Sequence, residues 1–336
     1  MRKMVIAILL FGSMAFGQTT RYVASFLEIP VGAKAPGMGN AFVSLADDGA
    51  AFHYNPAGAA FIDTKILSMM YSSQYGSLFS PLSNFFFIGY AQNIQDLSVS
   101  VAWVRLSVDN IPSEPDLTVY DSPAQRELLV KTSSANGYFS SADDAVYLNI
   151  SRMYTFDFDL GWLFFKIPVQ LPIGINFKLI HRLLDGRAAS GMGLDGGVML
   201  RFPIGVSDNK NKTGTFSFGV NLRDVTNTRI AWDTQRNEII PRSLVWGVSY
   251  RLPVTMLRGD MEVAFNRDSR YGDNLFGAEY VYRKILSVRV GSDASDLTAG
   301  IGIVLNFVRV DYAFLAQDIG NMNRVSASFY LDRLFK

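Results

Sequence analysis

The run TFSFGVNL, Thr215 to Leu222, decides how the rest of the chain is read. Phe216, Phe218, Val220 and Leu222 alternate with Thr215, Ser217, Gly219 and Asn221. A period of two puts the large apolar side chains on one face of a strand and the small or polar ones on the other. The same alternation recurs at Met261–Asn266, at Leu297–Asn306 with one lapse at Val304, and at Val308–Phe314. From Thr64 onward it predicts about fourteen strands, centred near 64–75, 84–92, 95–107, 143–154, 169–183, 191–202, 214–225, 241–252, 258–268, 273–284, 286–293, 296–306, 307–316 and 323–334.

Alternation alone would also suit a soluble sandwich. Two features point elsewhere. The segments run to about ten residues, the length a tilted strand needs to cross a bilayer. Charges sit mid-strand on the small, polar face: Lys178, Asp195, Arg201, Glu279 and Arg289. Export adds a third. Residues 1–17 read as a signal peptide, with Arg2 and Lys3, an apolar core from Met4 to Phe11, and Ala15-Phe16-Gly17 before the cut. Gly161 to Leu179 is the nearest approach to an apolar helical span, and Lys166, Pro168 and Pro172 break it. The expected fold is all-β: an antiparallel transmembrane barrel over 64–336, apolar towards lipid and polar towards the lumen.

Residues 18–63 do not alternate. Their centre reads VGAKAPGMGNAFVSLADDGAAFHYNPAGAA, Val31 to Ala60, too interrupted by Gly and Pro for a long helix. The expectation is a plug of short turns inside the barrel. The long connection from Asp109 to Ala142 and the one from Thr226 to Ile240 then share one end, opposite the tight turns at 92–95, 283–285 and 306–307. Barrels place short turns in the periplasm and long loops outside. Tyr154–Pro168 and Phe202–Gly214 break that rule as long connections on the turn side.

Of 336 residues 49% are hydrophobic, and 31 Lys+Arg face 30 Asp+Glu, which argues against a nucleic-acid partner. The absence of Cys excludes disulfides and thiolate metal sites, and the two histidines, His53 and His181, leave little for metal or acid–base chemistry. No cofactor or metal is expected. GMGLDG, Gly191 to Gly196, has dinucleotide-fingerprint spacing but continues as a strand through Val198 and Leu200, so its glycines read as facing a crowded lumen. Asp47-Asp48 precedes Gly49 and reads as a helix cap, Asp143-Asp144 as a loop rim, and His53 as a hydrogen-bonding plug residue. No Ser stands in a nucleophile elbow, and no enzyme is expected. Trp103, Trp232 and Trp246 suit interfacial girdles.

Phe26 to Ala60 resembles the N-terminal signature of the PorV/PorQ family of outer-membrane proteins, relatives of the FadL-type (OmpP1/FadL/TodX) transport barrels. The matching pieces are Gly32-Ala33, Gly37-Met38-Gly39, Ala41-Phe42-Val43, Ala46-Asp47-Asp48 and Asn55-Pro56-Ala57-Gly58. Val310 to Leu331 is similar to the family's last hairpin, and Glu279 to Gly291 to an earlier turn. His53-Tyr54 before the NPA motif departs from the family pattern, as does the ending Leu334-Phe335-Lys336. The resemblance implies a fourteen-stranded barrel with the NPA motif in its lumen, in the outer membrane of a diderm bacterium, with outer-membrane lipid around it. Gly37, Met38, Gly39, Asp47, Asp48, Asn55, Pro56, Ala57 and Gly58 are then plug residues.

Two functions follow from that resemblance. The favoured one is a type IX secretion accessory that binds the C-terminal sorting domains of secreted proteins and passes them to the secretion machinery. Its candidate surface is the long loop, with Asp109, Pro112, Pro115, Tyr120 and Pro123. The alternative is a FadL-like channel for hydrophobic small molecules, suggested by the early wall residues Met69, Met70, Phe85, Phe86 and Phe87.

Overall fold

The computed structural model describes residues 24–334 except 78–79, 114–121, 133–136, 160, 162–165, 205–213, 295 and 317–319. The signal-peptide residues, Pro115 and Tyr120 therefore lie outside the described residues. After the N-terminal segment come β1 (Ile66–Ser77), β2 (Ser80–Ile94), β3 (Leu97–Pro112), β4 (Tyr138–Asp159), β5 (Lys166–Leu184), β6 (Arg187–Pro203), β7 (Thr215–Arg223), β8 (Thr228–Trp232) and β9 (Asn237–Ile240). They are followed by β10 (Ser243–Val254), β11 (Gly259–Asp268), β12 (Asn274–Tyr282), β13 (Leu286–Asp293), β14 (Asp296–Leu305), β15 (Val308–Leu315) and β16 (Met322–Tyr330).

The barrel is closed. Each wall strand pairs antiparallel with its neighbours, β7 pairs with β10, and the first strand meets the last from Ile66↔Tyr330 to Ser73↔Asn323. β8 and β9 stand apart as a hairpin leaning on β6 at Ala189↔Trp232. Fourteen strands form the wall, in agreement with the alternation.

The two faces divide as the period of two requires. On β5, Ile173, Ile175, Phe177 and Leu179 point out and are exposed, while Asn176, Lys178 and Ile180 point in and are buried. The other charges expected in the lumen, Asp195, Glu279 and Arg289, are likewise buried, and Arg201 lies over the Phe61 ring. A continuous outward row of exposed aliphatic and aromatic side chains is costly in water and favourable against hydrocarbon. Among the described residues no helix is long and apolar enough to cross a membrane, which says nothing of these strands.

Several boundaries move. Tyr154–Pro168 is mostly strand, because β4 continues to Asp159 and β5 begins at Lys166. The long loop shortens, because β3 reaches Pro112 through a bulge between Val108 and Ile111, and Tyr138 already opens β4. Asp143 and Asp144 are not a loop rim. They sit in β4, Asp143 inward on Arg182 and Asp144 outward, accepting from the Trp103 indole at 2.9 Å. Trp103 and Trp246 lie on the outer face, whereas Trp232 is on the β8–β9 hairpin with the Arg182 guanidinium 5.4 Å from its ring centre.

Candidate functional site

Residues 24–64 run inside the barrel as short turns, a four-residue helix α1 (Ala51–Tyr54) and 3₁₀ turns at Pro36–Met38 and Pro56–Phe61. No single element is long enough to hold itself together. Its order comes from the wall.

Gly37-Met38-Gly39 is threaded against β12, β13 and β14. A Cβ on Gly39 would meet Phe276 O and Ser292 N at 2.5 Å, and its φ of +58° is one that L side chains rarely adopt. The Gly39 amide donates to Thr298 Oγ1 at 2.9 Å, and Met38 is wholly buried. The wall supplies matching space: a Cβ on Gly277 would come to 2.4 Å of Met38 O, and one on Gly197 to 2.1 Å of Asn55 Oδ1. The GMGLDG run does continue as a strand, but of its glycines Gly193 stands in the lumen against Lys178, Gly191 lies against the backbone of Arg229 on β8, and Gly196 alternates to the other face with open space beside it, so only part of the run faces a crowded lumen.

Asn55 is the centre of the plug. Its Oδ1 accepts from the Ala57 amide at 3.1 Å and caps the Pro56–Phe61 turn, where Pro56 costs no hydrogen bond. Its Nδ2 donates to Val43 O at 2.9 Å and reaches Val198 O and Val220 O on the wall at 3.3 and 3.4 Å. Gly58 follows where a Cβ would lie 2.0 Å from Ala46 O.

Four inward asparagines of the wall answer the plug backbone. Asn149 donates to Pro56 O at 3.1 Å, Asn176 to Phe52 O at 2.7 Å, Asn221 to Tyr54 O at 2.8 Å and Asn266 to Asn40 O at 3.1 Å. Buried carbonyls without such donors would cost stability. These asparagines were missed in the sequence. The available signal was that an amide recurs at inward positions, Asn149 and Asn176 being direct cross-strand partners.

Asp47 and Asp48 part company. Asp47 accepts from Lys34 Nζ at 2.7 Å and lies 3.5 Å from Arg251. Burial alone would raise its pKa, but Lys34, Arg251 and Arg201 outweigh that and hold the carboxyl well below the usual range. Asp48 Oδ1 accepts from the Ala50 amide at 2.9 Å, a turn two residues long rather than a cap on α1, and burial pushes its pKa up. Among the described residues His53 makes edge-on ring contacts with Phe52 and Tyr54, not the hydrogen bond expected of it.

The perimeter of the plug is of two kinds. Around Phe52 it is apolar: the ring packs 4.8 Å from the Tyr147 ring and 5.6 Å from Phe87, with Met70, Phe85, Ala102 and Val104 buried beside them, and Asn149 is the amide of β4 that reaches the plug at its margin. Met70, Phe85 and Phe87 therefore face the plug, whereas Met69 and Phe86 face outward. Elsewhere the perimeter is fastened by the asparagines and by ion pairs. At the loop end Glu28 accepts from Arg270 at 2.7 Å and from the Tyr271 hydroxyl at 2.6 Å, Arg270 reaches Asp224 at 3.2 Å, and Asp224 holds Lys178 at 2.7 Å.

Cavities lie on both sides. One of about 370 Å³ opens at the turn end, with Phe61, Ile62, Ile66 and Phe87 on one wall and Lys34, Asp47, Arg251, Glu262 and Arg309 on the other. One of about 240 Å³ lies at the loop end, lined by Asn40, Asn266, Asp268, Tyr271 and Asp293. Of the loop residues named from the sequence, the described ones, Asp109, Pro112 and Pro123, are not part of either. Asp109 falls in the β3 bulge, Pro112 ends β3, and Pro123 begins helix α2 (Pro123–Thr132), exposed over its first six residues.

No family model matches the chain, and no curated protein matches it. Solved structures similar to it include the toluene transporter TbuX of Ralstonia pickettii, at 12% identity and a TM-score of 0.46, covering 88% of this chain and 96% of that one. The toluene transporter TodX of P. putida gives 12% and 0.45, covering 88% and 95%. Outer membrane phospholipase A from Escherichia coli is similar at 11% and 0.32, covering 80% and 96%. TodX belongs to the FadL-type half of the resemblance drawn from the sequence. The PorV/PorQ half and the secretion role have no counterpart among these structures.

Proposed function

We propose that the protein is an outer-membrane transport barrel for small hydrophobic molecules, with the plug in its seated, closed position and passage running along the seam between the plug and β1–β4. One observation carries this reading: around Phe52 the plug meets the wall through Met70, Phe85, Phe87, Ala102, Val104 and Tyr147, whereas the amide and ion-pair fastenings, apart from Asn149 of β4, lie on the rest of the perimeter. A hydrophobic molecule can replace Phe52, Phe85 and Phe87 contacts one for one, whereas entering the fastened side would leave buried donors and charges unpaired. The turn-end cavity receives the seam on its apolar wall, at Ile66 and Phe87.

The test is uptake. Cells lacking the gene, and cells carrying it back, are given radiolabelled toluene or oleate at limiting concentration. Restored uptake is the expected result, and Phe87→Arg, which places a charge in the seam, should abolish the restoration while the barrel still assembles. Unchanged uptake in the deletion strain, with loss of exported proteins bearing C-terminal sorting domains, would replace this reading with the secretion one.

A further inference from the structure

The wall is not level at the turn end. β4 keeps its β3 partner only as far as Leu97↔Arg152, yet runs on to Asp159. Over that extension it pairs with β5 alone, through Asp159↔Lys166. β5 in turn meets β6 at Ile173↔Val198 and then only at Gln170↔Arg201, the ladder lapsing at Leu171 and Pro172, where proline has no N–H to give. Phe156–Asp159 and Lys166–Val169 therefore form a two-stranded ribbon that runs about 13 Å past the last β5–β6 pair, and on the β3 side the edge of β4 is bare from Met153 onwards. Among the described residues nothing pairs with the outer edge of Met153–Asp159.

A bare strand edge offers a row of N–H and C=O groups to any extended chain that reaches it. Two further features shape what fits. Tyr154, Phe156 and Phe158 share one face of this stretch of β4 and are each nearly half exposed, while Thr155, Asp157 and Asp159 share the other. On that second face Lys166 stands across from Asp159, but Pro168 stands across from Asp157, leaving Asp157 without a cation beside it on β5. At the foot of the edge lies a groove of about 350 Å³ lined by Asn93, Asp96, Ser98, Arg152, Met153 and Thr155, continuing the line of the edge towards the β2–β3 turn. Arg152 is already engaged with Asp96 at 3.1 Å and with the Tyr154 ring.

We propose that the edge Met153–Asp159 is a docking strand for an extended segment of a partner protein in the compartment at the turn face. That segment alternates apolar or aromatic residues, which meet Tyr154, Phe156 and Phe158, with basic residues, one of which meets Asp157. Cross-strand aromatic–β-branched pairs and opposite charges each add to the backbone ladder, which by itself is indifferent to sequence. The proposal does not depend on what the lumen transports.

The full chain in lipid nanodiscs is titrated into a fluorescein-labelled peptide alternating valine and lysine, and into a peptide of the same composition with the valines and lysines in separate blocks. Anisotropy should show the alternating peptide binding about tenfold tighter or more, a difference on the scale of one or two hydrogen bonds. Proline is placed at Phe156 and, separately, at Asp157. One of these two adjacent N–H groups faces the free edge, so one variant should lose binding about tenfold. Hydrogen exchange on the unsubstituted chain gives a readout that no folding defect can confuse: amides of Met153–Asp159 should gain protection with the alternating peptide only. Equal binding of both peptides would reduce the effect to charge and overturn the proposal. So would unchanged binding in both proline variants, or self-association through this edge that the same prolines abolish.

Discussion

At the scale of single residues, Asn55 does more than any other side chain to give the plug a fixed form. Its oxygen caps the turn after it, and its nitrogen is shared among a carbonyl of the plug and two of the wall. Asn55→Ala removes these and leaves buried carbonyls without a donor, a loss of about 2–4 kcal/mol. Asn55→Asp should be worse than Ala, since it keeps the capping oxygen but turns a carboxylate towards three carbonyl oxygens. Hydrogen exchange over residues 31–60 measures both, and equal protection in all three proteins would contradict this account of the asparagine. That Asn55 mattered was visible in the NPA run. What it touches was not: Val198 and Val220 are apolar residues whose backbone, not side chain, is used, and a backbone carbonyl has no signature in the sequence.

At the scale of elements, the strands were legible and the plug only partly so. Strands announced themselves because lipid on one side and a polar lumen on the other force a period of two, as in Thr215 to Leu222. The plug has no period, since each of its turns meets a different piece of wall. Its place in the lumen followed from the Gly- and Pro-rich break in pattern. Its fastening did not, because inward Asn149, Asn176, Asn221 and Asn266 alternate just as solvent-facing asparagines would. The ends of β4 and β5 were missed for a related reason. Pro168 reads as the end of a long connection, but Pro168 and Pro172 stand on the stretch of β5 that is largely released from β6, where a missing N–H costs no ladder bond. Because the plug is held at many separate points, it should behave as a unit. Deleting residues 31–60 should convert the barrel from closed to conducting in planar bilayers, while its strands still assemble. A conductance no larger than that of the intact chain would mean that the segment does not close the lumen.

At the scale of the whole molecule, the lipid-facing surface is a claim about solvent, and it can be tested by depth. Phe177 stands on the outer face of β5 near the middle of the strand, between Leu148 of β4 and Leu194 of β6. Leu183 stands on the same face one residue from the end of the strand, beside Ala142 and Ala188. If the outer face meets water, an arginine at either site is a surface change of little consequence. If it meets hydrocarbon, the cost depends on how far the guanidinium lies from the polar boundary: about 2–4 kcal/mol at the midplane and about 0–1 near the interface. Phe177→Arg should therefore destabilise the barrel strongly and Leu183→Arg weakly, although both residues are more than 40% exposed in the isolated chain. Reversible unfolding from vesicles by guanidinium gives the two differences directly. Their ratio is the informative quantity, because a general defect in assembly would lower both together. Equal, small costs at both sites would make the apolar row of β5 a soluble surface and would remove the physical basis for placing this barrel in a membrane.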